Sequence, residues 1–202
     1  DATEMRRRLL GDSPHPELAD GLNNLGLILM DMGNLGAAEP MFRQALAMNR
    51  QLLDKLHPTI AVNLNNLAMV VQDQGRYGEA ERLYREVLAM RQQALGAEHP
   101  EVARALNNLA FVLYDEGDQA AAMSMARQSL GLYRRSFQGD HPDVATGLAN
   151  IGVWRTMAGD YAAAEPMLRD ALEMRRRLHG NKHAEVALSE VALAHLYLET
   201  GR

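Results

Sequence analysis

Apolar residues recur along the chain at three- and four-residue steps, and the stripes they form themselves recur. Ile60, Leu64, Leu67, Ala68 and Val71 make one stripe that stops at Gly75, and Ala80, Tyr84, Val87 and Leu88 make a second that extends to Leu95. Such steps place side chains along one face of an α-helix. The double pattern returns every 42 residues, marked by His15, His57, His99, His141 and His183, the first four followed by Pro16, Pro58, Pro100 and Pro142. A fixed period of this size means stacked supersecondary units. Each unit reads as a helix A (near 16–32, 58–74, 100–116, 142–158 and 184–200) followed by a helix B (near 34–54, 76–96, 118–138 and 160–180). The whole chain, 1–202, is expected to be one array, with repeats at about 15–56, 57–98, 99–140 and 141–182 and a half repeat at 183–202. Residues 4–11 echo 173–180, so 1–11 is expected to be the tail of a preceding helix B.

Local signals agree with this division. Proline suits the first helical position, where its missing N–H is not needed, and Glu17, Glu101 and Asp143 put acid into the first turn of three A helices. The row Gly33, Gly75, Gly117, Gly159 and Gly201 marks the ends of helices A, with Asn34, Asp118 and Asp160 as caps for the following B helices. Glu39 with Arg43, Glu81 with Arg85, and Glu165 with Arg169 are four apart on helix B, each pair worth about 0.3 kcal/mol. Small residues at Gly26, Ala68, Ala110, Gly152 and Ala194 on helix A, and at Ala38, Ala80, Ala122 and Ala164 on helix B, let two backbones approach. The predicted unit is an antiparallel helical hairpin, and the predicted fold class is all-α.

Composition removes several kinds of function. A net charge of -5 offers no massed basic face for nucleic acid, and Arg6–Arg8 and Arg175–Arg177 read as solvated helix ends. There is no cysteine, hence no disulfide framework and no thiolate nucleophile or ligand. No apolar run reaches the roughly 18 residues of a membrane span, and no signal peptide precedes Asp1. The chain is expected to be an excised piece of a cytoplasmic protein, its array flanked by further repeats or another domain. The periodic histidines are expected to fix loops, since successive ones lie a two-helix layer apart, too far to share an ion; neither metal nor cofactor is expected. No nucleophile–base arrangement or phosphate loop is present, so the chain is not expected to be an enzyme.

The motif Leu-x-x-Leu-Gly/Ala-x-x-apolar, then Gly, then Ala-x-x-x-aromatic or apolar, resembles the tetratricopeptide repeat. The 42-residue period, the Leu-Asn-Asn-Leu-Ala cores at Leu64–Ala68 and Leu106–Ala110, and the loop from Leu95 to Pro100 resemble the kinesin light chain subtype. The resemblance implies an α-solenoid, a right-handed superhelix of hairpins, with a concave peptide-binding groove lined by helices A. The rows opposite the core stripe are then Asn24, Asn66, Asn108 and Asn150; a flanking row of Asn23, Asn65 and Asn107; an apolar row of Leu27, Met69 and Phe111, continued by Val153 and His195; and an acidic row of Asp31, Asp73 and Asp115. Arg104 is the basic residue among them. Asparagine carries both an acceptor and a donor and is a poor helix former, so its repetition calls for polar partners, either a bound backbone or a neighbouring helix.

These rows predict a scaffold that binds an extended or helical protein segment, neutral or basic because of the acidic rim. The family's clamp for acidic tails needs Lys and Arg where Asn23 and Asn24 stand. A structural spacer or self-association module within a larger protein is the alternative. Self-association through terminal helices is anticipated because Val186, Leu193, Leu196 and Tyr197 stand on a last helix with no helix B after it. Arg155, placed where other copies are apolar, is expected to reach toward the groove.

Overall fold

In the computed structural model of the protein, residues 14–202 are described, and 82% of these residues are helical, with no strand among them. Among the described residues nine helices alternate as read from the sequence: α1 (Pro16–Asp31), α2 (Leu35–Leu52), α3 (Pro58–Asp73), α4 (Tyr77–Leu95), α5 (Pro100–Glu116), α6 (Gln119–Ser136), α7 (Pro142–Met157), α8 (Tyr161–His179) and α9 (Ala184–Glu199). Odd numbers are helices A and even numbers helices B. The expected helical tail at 1–11 lies outside the described residues.

The starts of helices A are set by histidine. The Nδ1 atoms of His15, His57, His99, His141 and His183 accept the backbone N–H two residues on, at 3.2, 3.3, 3.1, 3.2 and 3.3 Å. Each imidazole thus satisfies one of the orphan donors of a first turn. His179 stacks on His183 with ring centroids 4.3 Å apart, as Phe137 stacks on His141 at 3.4 Å. The far ends behave as expected, with Gly33, Gly75, Gly117, Gly159 and Gly201 all at positive φ. Asn34 caps α2 through its side chain at 3.3 Å, but Asp160 does not cap α8. Its carboxylate pairs instead with Arg155, which therefore bends to the turn and not into the groove.

The chain divides into two compact units, one of residues up to Ala97 with Phe111–Asp118, the other of Glu98–Ala110 with Gln119–Arg202. In the first, α1 packs on α2, α2 on α3 and α3 on α4. Leu18, Leu22 and Ala45 form one core cluster there, with Met41 and Met48 against it. In the second, α6 packs on α7, α7 on α8 and α8 on α9. Both units depend on missing side chains at the A–B crossing. A Cβ on Gly26 would lie 2.7 Å from the Phe42 ring, and one on Gly152 would lie 2.7 Å from Leu168, both partners being fully buried.

The last helix corrects one expectation. Val186, Leu193 and Leu196 are buried and Tyr197 partly so, all packed against Ala164, Leu168 and Leu172 of α8. The preceding helix B already covers that face. The apolar side chains that α9 leaves in solvent are Leu188, Val191 and Leu198, the last 77% exposed.

Arginine–carboxylate pairs tie successive repeats. In the first unit Arg43 reaches Glu79 at 2.6 Å, Arg50 reaches Glu86 at 2.6 Å, and Arg76 reaches back to Glu39 at 2.9 Å. In the second, Arg135 holds Glu98, Arg177 holds Asp140 and Arg202 holds Glu165. The three four-apart pairs on helices B are all formed. Hydrogen bonds from Arg76, and then from Arg43, bring the Glu39 carboxyl down to about 2 against an opposing effect of burial. A depressed carboxyl stabilises the fold above its ordinary range and stops doing so as pH falls through the depressed value. Urea unfolding of Glu39→Gln should therefore show lower stability at neutral pH and a shallower loss between pH 4.5 and about 2 than the parent chain. Gly26→Ala is expected to cost about 1–3 kcal/mol in the same measurement, because the Phe42 ring has no free space into which to move. An unchanged midpoint would mean that the crossing is looser than the structure has it.

Candidate functional site

Helices A carry every residue predicted for the groove, and the two units arrange them differently. In the first unit, α1 supplies Asn23, Asn24, Leu27 and Asp31, α3 supplies Asn65, Asn66, Met69 and Asp73, and the end of α5 supplies Phe111 and Asp115. Leu27, Met69 and Phe111 are half-buried; Asn24 and the three aspartates are exposed. The apolar row is accordingly partly open to solvent beside a charged one.

The asparagines divide their work. Asn23 Oδ1 accepts amide protons from both Asn63 at 3.1 Å and Asn66 at 3.0 Å, and Asn63 Oδ1 accepts from Asn49 at 2.7 Å. This chain of amides joins α2, α3 and α1. Asn66 is only 8% exposed, so its donor is spent between helices and not held out to a ligand. In the second unit the same relation recurs, Asn150 donating to Asn107 across α7 and α5 at 3.3 Å. Asn65 donates to the Met69 sulfur at 3.4 Å along its own helix. The sequence offered both readings for these rows, and the geometry gives Asn23, Asn66, Asn107 and Asn150 interhelical partners. Asn108 is half-buried, and Asn24 faces solvent. Sequence reasoning missed Asn49 and Asn63. The signal was present: Asn63 stands in a row otherwise occupied by Gly21, Ala105, Gly147 and Ser189.

Charge is distributed with the same unevenness. Asp31 and Asp73 are the last residues of α1 and α3, and Asp115 is the last but one of α5, none of these helices having a base in its final turn. The helix dipole already makes these ends negative, so carboxylates there add to an unfavourable potential. Asp115 accepts from Gln72 at 2.6 Å. The Tyr84 hydroxyl on α4 is pushed above its ordinary range first by burial and then by the charges of Asp73 and Asp115. In the second unit Met157 takes the acidic position, and Arg104 pairs with Glu101 at 3.0 Å. Tyr133, beside Arg104 and Asp143, is pushed up to about 12, mainly by burial.

His179, His183 and Glu185 bring three donor atoms within 4.8 Å of one another. Yet His183 Nδ1 already accepts the Glu185 N–H, and Arg175 Nε lies 3.6 Å from the Glu185 carboxylate. A cation there would meet a fixed guanidinium and compete with a helix cap. The group serves α9 as its start.

The tetratricopeptide repeat profile matches residues 17–93, 59–135, 127–177 and 143–202, and the chain belongs to the tetratricopeptide repeat family. Its structural neighbours include kinesin light chain-like repeat proteins. The crystal structure of BtubC (BKLC) from P. vanneervenii superposes with a TM-score of 0.80 at 25% identity, over 98% of this chain and 80% of that one. A Podosopora anserina structure described as a kinesin light chain with nearly identical TPR-like repeats gives 0.76 at 21% identity, over 93% and 89%. The apo form of RapI gives 0.75 at 17% identity, over 91% and 64%. No curated protein sequence matches the chain. Arrays of this family are, as a class, scaffolds for protein interaction, typically without catalytic activity, and no helix among the described residues is long and apolar enough to cross a membrane.

The amide network makes a differential prediction. Asn23→Ala should cost about 1–3 kcal/mol in urea unfolding, since it strips the acceptor from two donors, Asn63 and Asn66, that are both buried. Asn24→Ala, on an exposed helical position, should change stability by less than about 0.5 kcal/mol. Equal effects would remove the assignment of the Asn23 row to interhelical bonding.

Proposed function

We propose that the chain is a protein-interaction scaffold whose helix A faces hold an extended or helical segment of a partner protein. One observation carries this reading: in the first unit Leu27, Met69 and Phe111 are left half-buried in a row beside exposed Asp31, Asp73 and Asp115. A helix that served only to stack would bury the first set and would gain nothing from the second at its C-terminal end. Apolar side chains of the segment would sit against the row, Met69 adapting to their shape. The acidic positions favour a neutral or basic segment over an acidic one. Exposed Asn24 would meet its backbone, whereas Asn66 and Asn150 hold their neighbours in register.

The test is retention of randomised peptides on an array by the intact chain, followed by calorimetry of the best binder against Met69→Ala and Phe111→Ala. Each truncation is expected to weaken binding by about 1–2 kcal/mol with the helical signal preserved. Undiminished affinity in both variants would move the binding surface off these helices. A second reading, self-association, is favoured by the exposed Leu188, Val191 and Leu198 on α9. A chain that sediments as an oligomer, and becomes monomeric on Leu198→Asp, would bear it out.

A further inference from the structure

The loop between α2 and α3 departs from the pattern of the loops that follow it. In the second unit the residue before the capping histidine is an acid clasped by an arginine late in the next helix B. Glu98 is held by Arg135 at 2.9 Å, and Asp140 by Arg177 through two hydrogen bonds. The corresponding residues one copy earlier are Leu56 and Gln93, which cannot make that ion pair. The residue before the clasp is small at Ala97 and Gly139, whereas here it is Lys55.

A cavity of about 430 Å³ lies at this first loop, wholly within the first unit. Ile60 of α3 and Met90 of α4, both buried, line it with apolar surface, and partly buried Leu56 extends that surface. Its charged lining is Arg50, Glu86 and exposed Lys55. Arg50 donates to Glu86 at 2.6 Å through a single N–H, and its remaining donors meet no described acceptor. Lys55 makes no ion pair or hydrogen bond with any described residue. The one acid of the lining is therefore neutralised, and a cation is left over beside apolar surface. Water against such surface gains little, and an apolar body that displaces it is favoured.

We infer that this cavity takes a small molecule with an apolar body and one carboxylate, of the kind of a medium-length fatty acid or an arylalkanoate. The body lies against Leu56, Ile60 and Met90, and the carboxylate meets Lys55 and the unused N–H groups of Arg50. The volume is that of a small-ligand site. A cationic ligand would add to a surplus of positive charge, and a neutral one would leave Lys55 as it stands. None of these residues belongs to the rows predicted for the groove, so the site stands or falls apart from that reading.

The test is calorimetry and ligand-observed NMR on the intact chain with hexanoate, octanoate, decanoate and 4-phenylbutyrate, with the amide of each, and with octylamine. At least one carboxylate should bind saturably and about fivefold more tightly than its amide, the preference expected of an exposed ion pair, with octylamine the weakest. Lys55→Glu should bring that carboxylate to the affinity of its amide or below and leave the amide unchanged. Leu56→Glu with Gln93→Arg, which builds into the first loop the clasp of the second, should abolish binding of both. Absence of saturable carboxylate binding overturns the site, as does a carboxylate held no better than its amide or one still bound by the clasp variant. If circular dichroism shows the clasp variant unfolded, Lys55→Glu decides: loss of the carboxylate preference supports the site, and its persistence overturns it.

Discussion

Each hairpin depends on two helix backbones coming close enough for one side chain to lie where another has been deleted. Phe42 occupies the space that a Cβ of Gly26 would need, and Leu168 does the same at Gly152. Dispersion and burial are both served by the contact, because a large side chain meets backbone with no intervening gap. The spacing between A and B sets how far apart the next pair can stand, and so how the rows on helices A line up within a unit. The site inherits its geometry from that deletion.

Much of this was legible before any coordinates. A strict period is the strongest signal a sequence can carry, since five copies of His15 and its counterparts, each opening a helix, overdetermine the register. Boundaries fell within a few residues for the same reason. What resisted reading was the partner of each polar side chain. Asn66 was assigned to the row that faces a ligand, yet its amide turns along the helix surface to Asn23; a difference of one side-chain rotation decides this, and periodicity does not encode rotation. Asp160 had the residue type and position of a cap, but Arg155, unusual in its own row, drew the carboxylate away. The error about α9 had a different origin. Val186 and Leu193 were counted as uncovered because the following helix B is absent, whereas in a repeat array every helix A is also covered by the B before it.

The two units illustrate how a repeat can keep its architecture while its chemistry drifts. Positions that open or close a helix scarcely change, because a wrong residue there costs a cap or a turn. Positions predicted for the groove change freely: Asp73 becomes Met157 two copies on, and Met69 becomes Val153. Tyr84 belongs to the conservative kind by position and to the variable kind by chemistry, and it was read from sequence as core. The ring fills the hairpin, where burial, and after it the charges of Asp73 and Asp115, hold the hydroxyl above its ordinary range.

The amide bonds between helices A have one property that apolar contacts lack. Leucine rows can slide past one another by a turn and find nearly equivalent neighbours, whereas a donor aimed at a single oxygen accepts one alignment. Asn66 on Asn23 and Asn150 on Asn107 act as indexing pins, and Ala149 and Ala192 stand in the corresponding rows between α7 and α9. There buried Arg175 of α8 takes the place of the amide pair, donating to Thr146 on α7 and to Ser189 and the Glu185 carbonyl on α9. A joint that has lost its asparagines is thus still indexed, by a side chain long enough to reach both helices from the one between them.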